Sequence, residues 1–331
     1  MKVALITEGS QTIGFGHITR LMSFYQAFEE KGIIPKFYVN GDDTIQSLLN
    51  GSDVEIINWL ENKSSFFEKI SDTNIAIVDS YLADMEFYKR LSEEVDLLVC
   101  IDDNLRIQYP KGIVINGTFD AENWKFEKRK DVTYLFGSRY MPLRKAFWDV
   151  PEKEISDTIG TVMLTFGGED SRNMTPKVLA QLNTTYPNLK KKVVIGKAFK
   201  HIEEIEKNRS ENVELIFAPD AEGMKKTMLE ADIAISAGGQ TLYELACVGV
   251  PTVAVQVADN QKNNIEGAVK LGAISFAGYW NNDDITLKIV SEINHLCPKI
   301  EREKRYKITR ASINKNATRD HIQYLLELLD H

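Results

Sequence analysis

Cysteine is scarce in this chain. Its 331 residues hold three, Cys100, Cys247 and Cys297, far apart and with no C-x-x-C pair. A disulfide framework or a cysteine zinc site is therefore not expected, and a reduced, cytoplasmic setting is. No apolar run approaches membrane-spanning length, which argues against stable membrane insertion. The first strand-like run starts directly after Met1-Lys2, which leaves no room for a secretory signal. Positive charge is also short. Against 48 Asp and Glu stand 40 Lys and Arg, a formal net charge of -8, so no broad nucleic-acid surface is expected. Several signatures are missing: the third glycine and strand-end acid of a dinucleotide fingerprint, a P-loop, and a G-x-S-x-G nucleophile elbow. No histidine pair has metal-ligand spacing. Four of the five histidines, His201, His295, His321 and His331, fall on polar or terminal segments and are expected at the surface.

What is present is 43% hydrophobic and 27% charged, enough for one large or two medium globular domains. The densest signal is Ile13-Gly14-Phe15-Gly16-His17-Ile18-Thr19-Arg20. It follows the strand-like Val3-Ala4-Leu5-Ile6-Thr7 and a polar loop from Glu8 to Thr12. It precedes a helical pattern of Leu21, Phe24, Tyr25 and Phe28. His17 is thus expected in the first turn of the first helix, at the carboxyl end of the first strand, where open parallel sheets bind ligands. Gly14 and Gly16 would allow close backbone approach, and a histidine there can transfer a proton beside an anionic substrate. A glycine turn with a capping histidine is the plainer alternative.

The N-terminal half then alternates apolar runs and helical patterns, as a parallel sheet covered on both faces does. Strands are expected at 33–39, 54–57, 75–79, 97–102, 113–115 and 133–136, with helices at 43–49 and 85–91. Two strands end in acids, Asp79 and the pair Asp102-Asp103. They either cap turns or line the same crevice as His17. A polar linker is expected at about 149–158. Domains are therefore placed at 1–150 and 151–331, with a C-terminal helical segment able to pack back on the first.

The second half repeats strand, glycine turn and helix. Thr161 to Phe166 runs into Gly167-Gly168. Ile233 to Ser236 runs into Ala237-Gly238-Gly239-Gln240-Thr241, then a helix carrying Glu244 and ended by Gly249. The amides of such a turn suit a phosphate, and a carboxylate one turn on can take both hydroxyls of a ribose. Glu244 is equally a carboxylate favoured by a helix N-terminus. Asp259-Asn260-Gln261 opens a further helix after the strand Thr252 to Val255. Two Rossmann-like halves, each with a glycine turn, suggest a ligand held between domains.

Ser236 to Thr241, Glu244-Leu245 and Gly249-Val250-Pro251 resemble the nucleotide-binding segment of GT-B sugar-nucleotide enzymes. The N-terminal half is more specific. Gly14-Phe15-Gly16-His17 with Arg20, Asp79-x-Tyr81, Ile101-Asp102-Asp103, Gly137-x-x-Tyr140-x-x-Leu143-Arg144 and Gly167-Gly168-x-Asp170 occur in that order. This ordered set resembles the UDP-sugar hydrolases of pseudaminic acid biosynthesis, the PseG/SpsG type with its spore-coat polysaccharide relatives, over roughly residues 1–275. The resemblance implies an α/β, GT-B fold of two Rossmann-like domains facing each other across a cleft. It implies hydrolysis of UDP-2,4-diacetamido-2,4,6-trideoxy-β-L-altrose to UDP and the free sugar.

By motif, His17 would be the catalytic histidine and Tyr81 its partner, with Asn116 the matching residue of Asn116-Gly117-Thr118-Phe119. Glu244 would take the ribose, and the loop from Phe217 to Glu222, with Ala218 and Ala221, would read uracil through its backbone. Ser80 stands where family members often carry His, and the Ala237 to Thr241 turn is nearer the glycosyltransferase form. UDP is a good leaving group, so the site must hold diphosphate charge and align one water. Glycine-loop amides can do the first, and His17 can take the water's proton. No cofactor or metal is required on this scheme. A glycosyltransferase and a non-catalytic nucleotide-sugar binder are the competing classes.

Overall fold

The computed structural model describes residues 1–10, 14–46 and 48–330. Gln11 and Thr12 of the expected first loop and Ile13 of the glycine stretch lie outside the described residues, as do Ser47 and His331. The chain forms two compact units, Met1–Trp148 with Asn316–His331, and Asp149–Lys315.

The first unit runs β1 (Val3–Gly9), α1 (Gly16–Glu30), β2 (Lys36–Gly41), β3 (Asp53–Ile56), α2 (Lys63–Ile70), β4 (Ile75–Asp79), α3 (Met85–Glu94), β5 (Leu97–Ile101), β6 (Gly112–Asn116) and β7 (Val132–Phe136). The strands make one parallel sheet in the order β3-β2-β1-β4-β5-β6-β7. Strand order therefore reverses between β1 and β4, whose side chains are buried throughout. On α1, Ile18, Leu21, Phe24 and Phe28 recur every three or four residues and are buried against Leu5, Phe37 and Ile77. Each such side chain contributes about 1.5–3 kcal/mol relative to exposure. Gly32, at φ +73°, ends the helix, and its amide bonds back to Glu29. Without a Cβ it enters that left-handed conformation at no steric cost.

Several expectations shift. Glu8 and Gly9 belong to β1, not to a loop, and Glu8 is buried. Residues 33–35 stay outside β2, where Pro35 has no amide to offer a ladder. The helix expected at 43–49 is a single 3₁₀ turn, Asp43–Ile45, capped by Asp42. Helix α2 escapes a pattern search because it is short, although Phe66, Phe67 and Ile70 line one face.

The second unit runs β8 (Thr161–Thr165), α4 (Met174–Thr185), β9 (Lys190–Ile195), α5 (Ile202–Glu206), β10 (Val213–Phe217), α6 (Ala221–Glu230), β11 (Ile233–Ala237), α7 (Thr241–Val248), β12 (Thr252–Gln256), α8 (Lys262–Lys270), β13 (Ile274–Tyr279), α9 (Ile285–Leu296) and α10 (Lys299–Ser312). Its parallel sheet has the order β10-β9-β8-β11-β12-β13, reversing between β8 and β11. The irregular segment that opens the unit is held by buried Arg302 of α10, whose Nη2 donates to the carbonyls of Ser156 and Asp157.

Helix α11 (Ala317–Leu329) returns to the first unit, where Ile322 and Leu325 join the core of α1. This corrects the placing of His321. It is buried, not at the surface: Nε2 lies 2.8 Å from the Tyr140 carbonyl, and the ring stacks on Phe24. His201 and His295 are exposed.

Candidate active site

The reversal in the first sheet gathers a charged network. His17 stands in the first turn of α1, after β1, and Asp79 ends β4 next door. The His17 Nδ1 lies 2.7 Å from Asp79 Oδ1. A carboxylate accepts, so Nδ1 carries the proton and the neutral ring keeps its lone pair on Nε2. Arg20, one turn along α1, forks onto the same carboxylate, Nε to Oδ2 at 2.6 Å and Nη2 to Oδ1 at 2.7 Å. Its Nη1 reaches Asp103 Oδ2 at 3.2 Å. The Tyr81 hydroxyl donates to Asp103 at 2.8 Å, and the Tyr81 ring meets the His17 ring edge-on at 4.5 Å.

The charges order themselves accordingly. Burial opposes ionisation of Asp79, but Arg20 and His17 outweigh it and hold its pKa at about 2. Burial also disfavours the His17 cation, yet Asp79, by charge and hydrogen bond, raises its pKa above the usual histidine value. Burial, then Asp103, pushes the Tyr81 phenol up, so it stays a donor.

Asp102 does not join this network. It is buried, and its carboxylate accepts the amides of Asn104 (2.9 Å) and Arg106 (2.8 Å) and the Tyr109 hydroxyl (2.9 Å). It shapes the loop that presents Asp103. Asn116 ends β6 and ties its own turn through the Thr118 amide, while its Nδ2 is buried without a hydrogen-bond partner among the described residues. Tyr140 stacks on His321 of α11, and Arg144 lies over the Phe147 ring. Gly14, at φ +88°, and Gly16 both face open space.

The second reversal is built from glycine turns. Gly167, at φ +78°, and Gly168 follow β8, and the Gly168 carbonyl takes the Ala198 amide. Asp170 caps α4 through the Met174 and Thr175 amides, both at 2.8 Å. Between β11 and α7, Gln261 pins the turn, its Oε1 accepting the amides of Gly238 (3.2 Å) and Val257 (3.0 Å). Gln261 thus serves the loop's own shape, whereas Asn260 is exposed beside it. Gly239 faces open space, Gln240 and Thr241 start α7, and Glu244 is buried in its first turn. At the end of β10, Phe217 is 55% exposed and Ala218 holds φ +43°. A non-glycine residue in that conformation is strained. Ala221 opens α6 behind the cap Asp220.

Sequence reasoning missed Glu8. It stands one residue before the end of β1 beside this network, fully buried, with Oε1 on the Tyr81 amide at 2.5 Å. A strand-end acid followed by glycine was the available signal.

The family model for the glycosyltransferase family 28 C-terminal domain matches residues 161–325. The spore coat polysaccharide biosynthesis protein SpsG of Bacillus subtilis is 25% identical over 79% of each chain. The bifunctional pseudaminic acid cytidylyltransferase and UDP-2,4-diacetamido-2,4,6-trideoxy-beta-L-altropyranose hydrolase of Helicobacter pylori is 24% identical over 79% of this chain. In sequence the chain is thus similar to proteins of the PseG/SpsG type, and its residues 161–325 to the family 28 glycosyltransferases. The family likeness covers only part of some relatives. The chain spans 58% of an uncharacterised Methanocaldococcus jannaschii protein (25% identical) and 45% of the Helicobacter protein. Its GT-B fold is that of MurG from Acinetobacter baumannii, with TM-score 0.72 and 14% identity over 99% and 100% of the two chains. The fold also matches a Neisseria meningitidis UDP-GlcNAc 2-epimerase bound to UDP-GlcNAc, with TM-score 0.60 and 15% identity over 99% and 100%. Among the described residues no helix is long and apolar enough to cross a membrane.

Proposed function

We propose that the chain is an enzyme acting on nucleotide sugars, a UDP-sugar hydrolase that releases UDP and a free diacetamido sugar for surface polysaccharide or pseudaminic acid synthesis. The observation that carries this is the His17–Asp79 pair, clamped by Arg20 at the reversal of the first sheet. Asp79 fixes the tautomer, so Nε2 takes a proton from water as the water oxygen bonds to C1. The C1–O bond breaks with inversion, and its electron pair leaves on the β-phosphate of UDP. Tyr81 and Asp103 orient the sugar or the water. In the second unit the Gly167-Gly168 and Gly238 to Thr241 turns take the diphosphate and Glu244 takes the ribose. The backbone at Ala218 takes uracil. The name of the Helicobacter relative and the UDP-sugar in the epimerase structure support the substrate class.

One observation favours a second reading. The matching family model is a glycosyltransferase one, so an acceptor hydroxyl could replace water on the same scheme. The deciding experiment incubates the protein with a panel of UDP-sugars in oxygen-18 water, with and without acceptors. Label in the sugar and UDP release without acceptor support hydrolysis. Release only with an acceptor supports transfer, and label in UDP means attack at phosphorus.

A further inference from the structure

Glu8 has a geometry that the base mechanism does not use. It is the last residue but one of β1, its side chain is 0% exposed, and it reaches across the strand reversal to the loop after β4. Oε1 accepts the Tyr81 amide at 2.5 Å and the Leu82 amide at 3.2 Å. Among the described residues Oε2 is buried without a hydrogen-bond partner. Two backbone amides need one oxygen, which a glutamine would supply without burying a charge. The residue so gripped is Tyr81, whose phenol bonds Asp103 and whose ring edges onto His17.

We propose that Glu8 is a positioning residue of this site: its grip on the Tyr81 and Leu82 amides sets where the Tyr81 ring and phenol meet His17 and Asp103. The inference rests on the reading of His17 as the base. The groups facing His17 are Asp79 and Tyr81 from β4 and its loop, Arg20 from α1 itself, and Glu8 from β1, with Asp103 acting through Arg20. Burial raises the Glu8 pKa, while Ser80 and the His17 charge oppose that shift without cancelling it. Where Glu8 is ionised, its charge helps His17 hold a proton.

The test compares Glu8→Ala, Glu8→Gln and Tyr81→Phe, alone and combined, with circular dichroism to confirm folding. Loss of the grip lets Tyr81 move, and Glu8→Ala should lower kcat about 10–100-fold, as an ångström of misplacement does. KM should stay within about threefold, because the turns proposed to hold UDP belong to the other unit from Glu8 and Tyr81. Glu8→Gln keeps the acceptor and should restore most of kcat. In the Tyr81→Phe background, Glu8→Ala should cost far less than alone, because Tyr81 is the route of its effect. Additive costs, or a glutamine as damaging as alanine, would overturn the proposal. A Glu8→Ala protein that does not fold leaves the glutamine comparison and its Tyr81→Phe combination to decide. A separate arm follows the His17 ring by NMR titration without substrate. His17 should titrate at lower pH in both Glu8 variants than in the parent, because the Glu8 charge favours its cation, and an unchanged titration would mean that this charge does not reach His17. If the parent turns over no UDP-sugar, the hydrolase reading fails, whereas the titration still tests Glu8.

Discussion

Both sheets reverse their strand order beside their first strand, β1 against β4 and β8 against β11, yet different chemistry stands at the two places. At the first, charged and polar side chains hold one another: His17 and Arg20 on Asp79, Arg20 and Tyr81 on Asp103. At the second, glycines and amides dominate, with Gln261 pinning the Gly238 turn and Asp170 spent on a helix cap. A strand reversal makes a crevice in either case. Buried charges there can move protons, whereas open backbone turns can hold an anion but cannot do acid–base work. On the proposed function turnover belongs to the first reversal and nucleotide affinity to the second, a division that breaks if one is found to do the other's work.

The largest effect is expected from Asp79→Asn. It removes the charge that fixes the His17 tautomer, and an analogous loss in a serine-protease triad costs about 10⁴ in kcat. It also leaves Arg20, buried at 6% exposure, with Asp103 as its remaining carboxylate partner in this network. Breaking a buried pair costs about 3–5 kcal/mol, so denaturant midpoints should fall as well. UDP affinity, measured by calorimetry, should be nearly unchanged. A variant that loses UDP binding but keeps kcat would reverse the assignment.

His17→Ala should lower kcat by about 10²–10⁴, the range for a general base. The acidic limb of the parent's pH profile should lie above the ordinary histidine value, because Asp79 raises the His17 pKa and the base must be neutral. The variant should lose that limb. Stability follows the same signs. What the His17 cation contributes is complete below its unfolded pKa and is lost as pH rises through the raised folded one. What Asp79 contributes is present above its unfolded pKa and is lost as pH falls through about 2. Equal pH profiles for parent and variant would make His17 a helix cap.

At the second reversal, UDP about 100-fold over its dissociation constant should stabilise the fold by roughly 2.7 kcal/mol. Glu244→Ala should shrink this shift, and ADP should produce little of it. An equal melting shift with ADP would remove the uridine assignment and leave a general nucleotide turn.

How far the sequence speaks depends on how local the cause is. The strands at 75–79 and 97–102 are legible because parallel strands buried on both faces are continuous apolar runs. His17 is legible because the helix start next to it has its own pattern. That Asp79 meets His17 while Asp102 turns into its loop is not legible, since both are acids at strand ends. The difference lies in which loop amides stand nearby, a matter of three-dimensional register. Glu8 and His321 were lost for one reason: a polar residue near a segment's end reads as solvent-facing, and only packing against β4's loop or α1 shows otherwise. The role of Gln261 was equally hidden, because side-chain-to-backbone pinning across 23 residues leaves no spacing to detect.

The smallest effects should separate two adjacent glycines. A Cβ on Gly238 would stand 2.5 Å from Ile265 Cδ1 and 3.1 Å from Gln261 Cβ. Gly238→Ala must therefore push α8 away, at the cost of about 1–3 kcal/mol usual for overpacking. A Cβ on Gly239 would meet nothing within 4 Å, and its φ lies outside the left-handed region, so Gly239→Ala should change stability by less than about 0.5 kcal/mol. The open space above Gly239 is where a phosphate would approach the turn. A methyl group there should weaken UDP binding while leaving the melting curve of the free protein in place. Thermal melts with and without UDP read both effects in one experiment. If Gly239→Ala binds UDP as tightly as the parent, the diphosphate does not rest on this turn, and the contrast between the two reversals loses its second half.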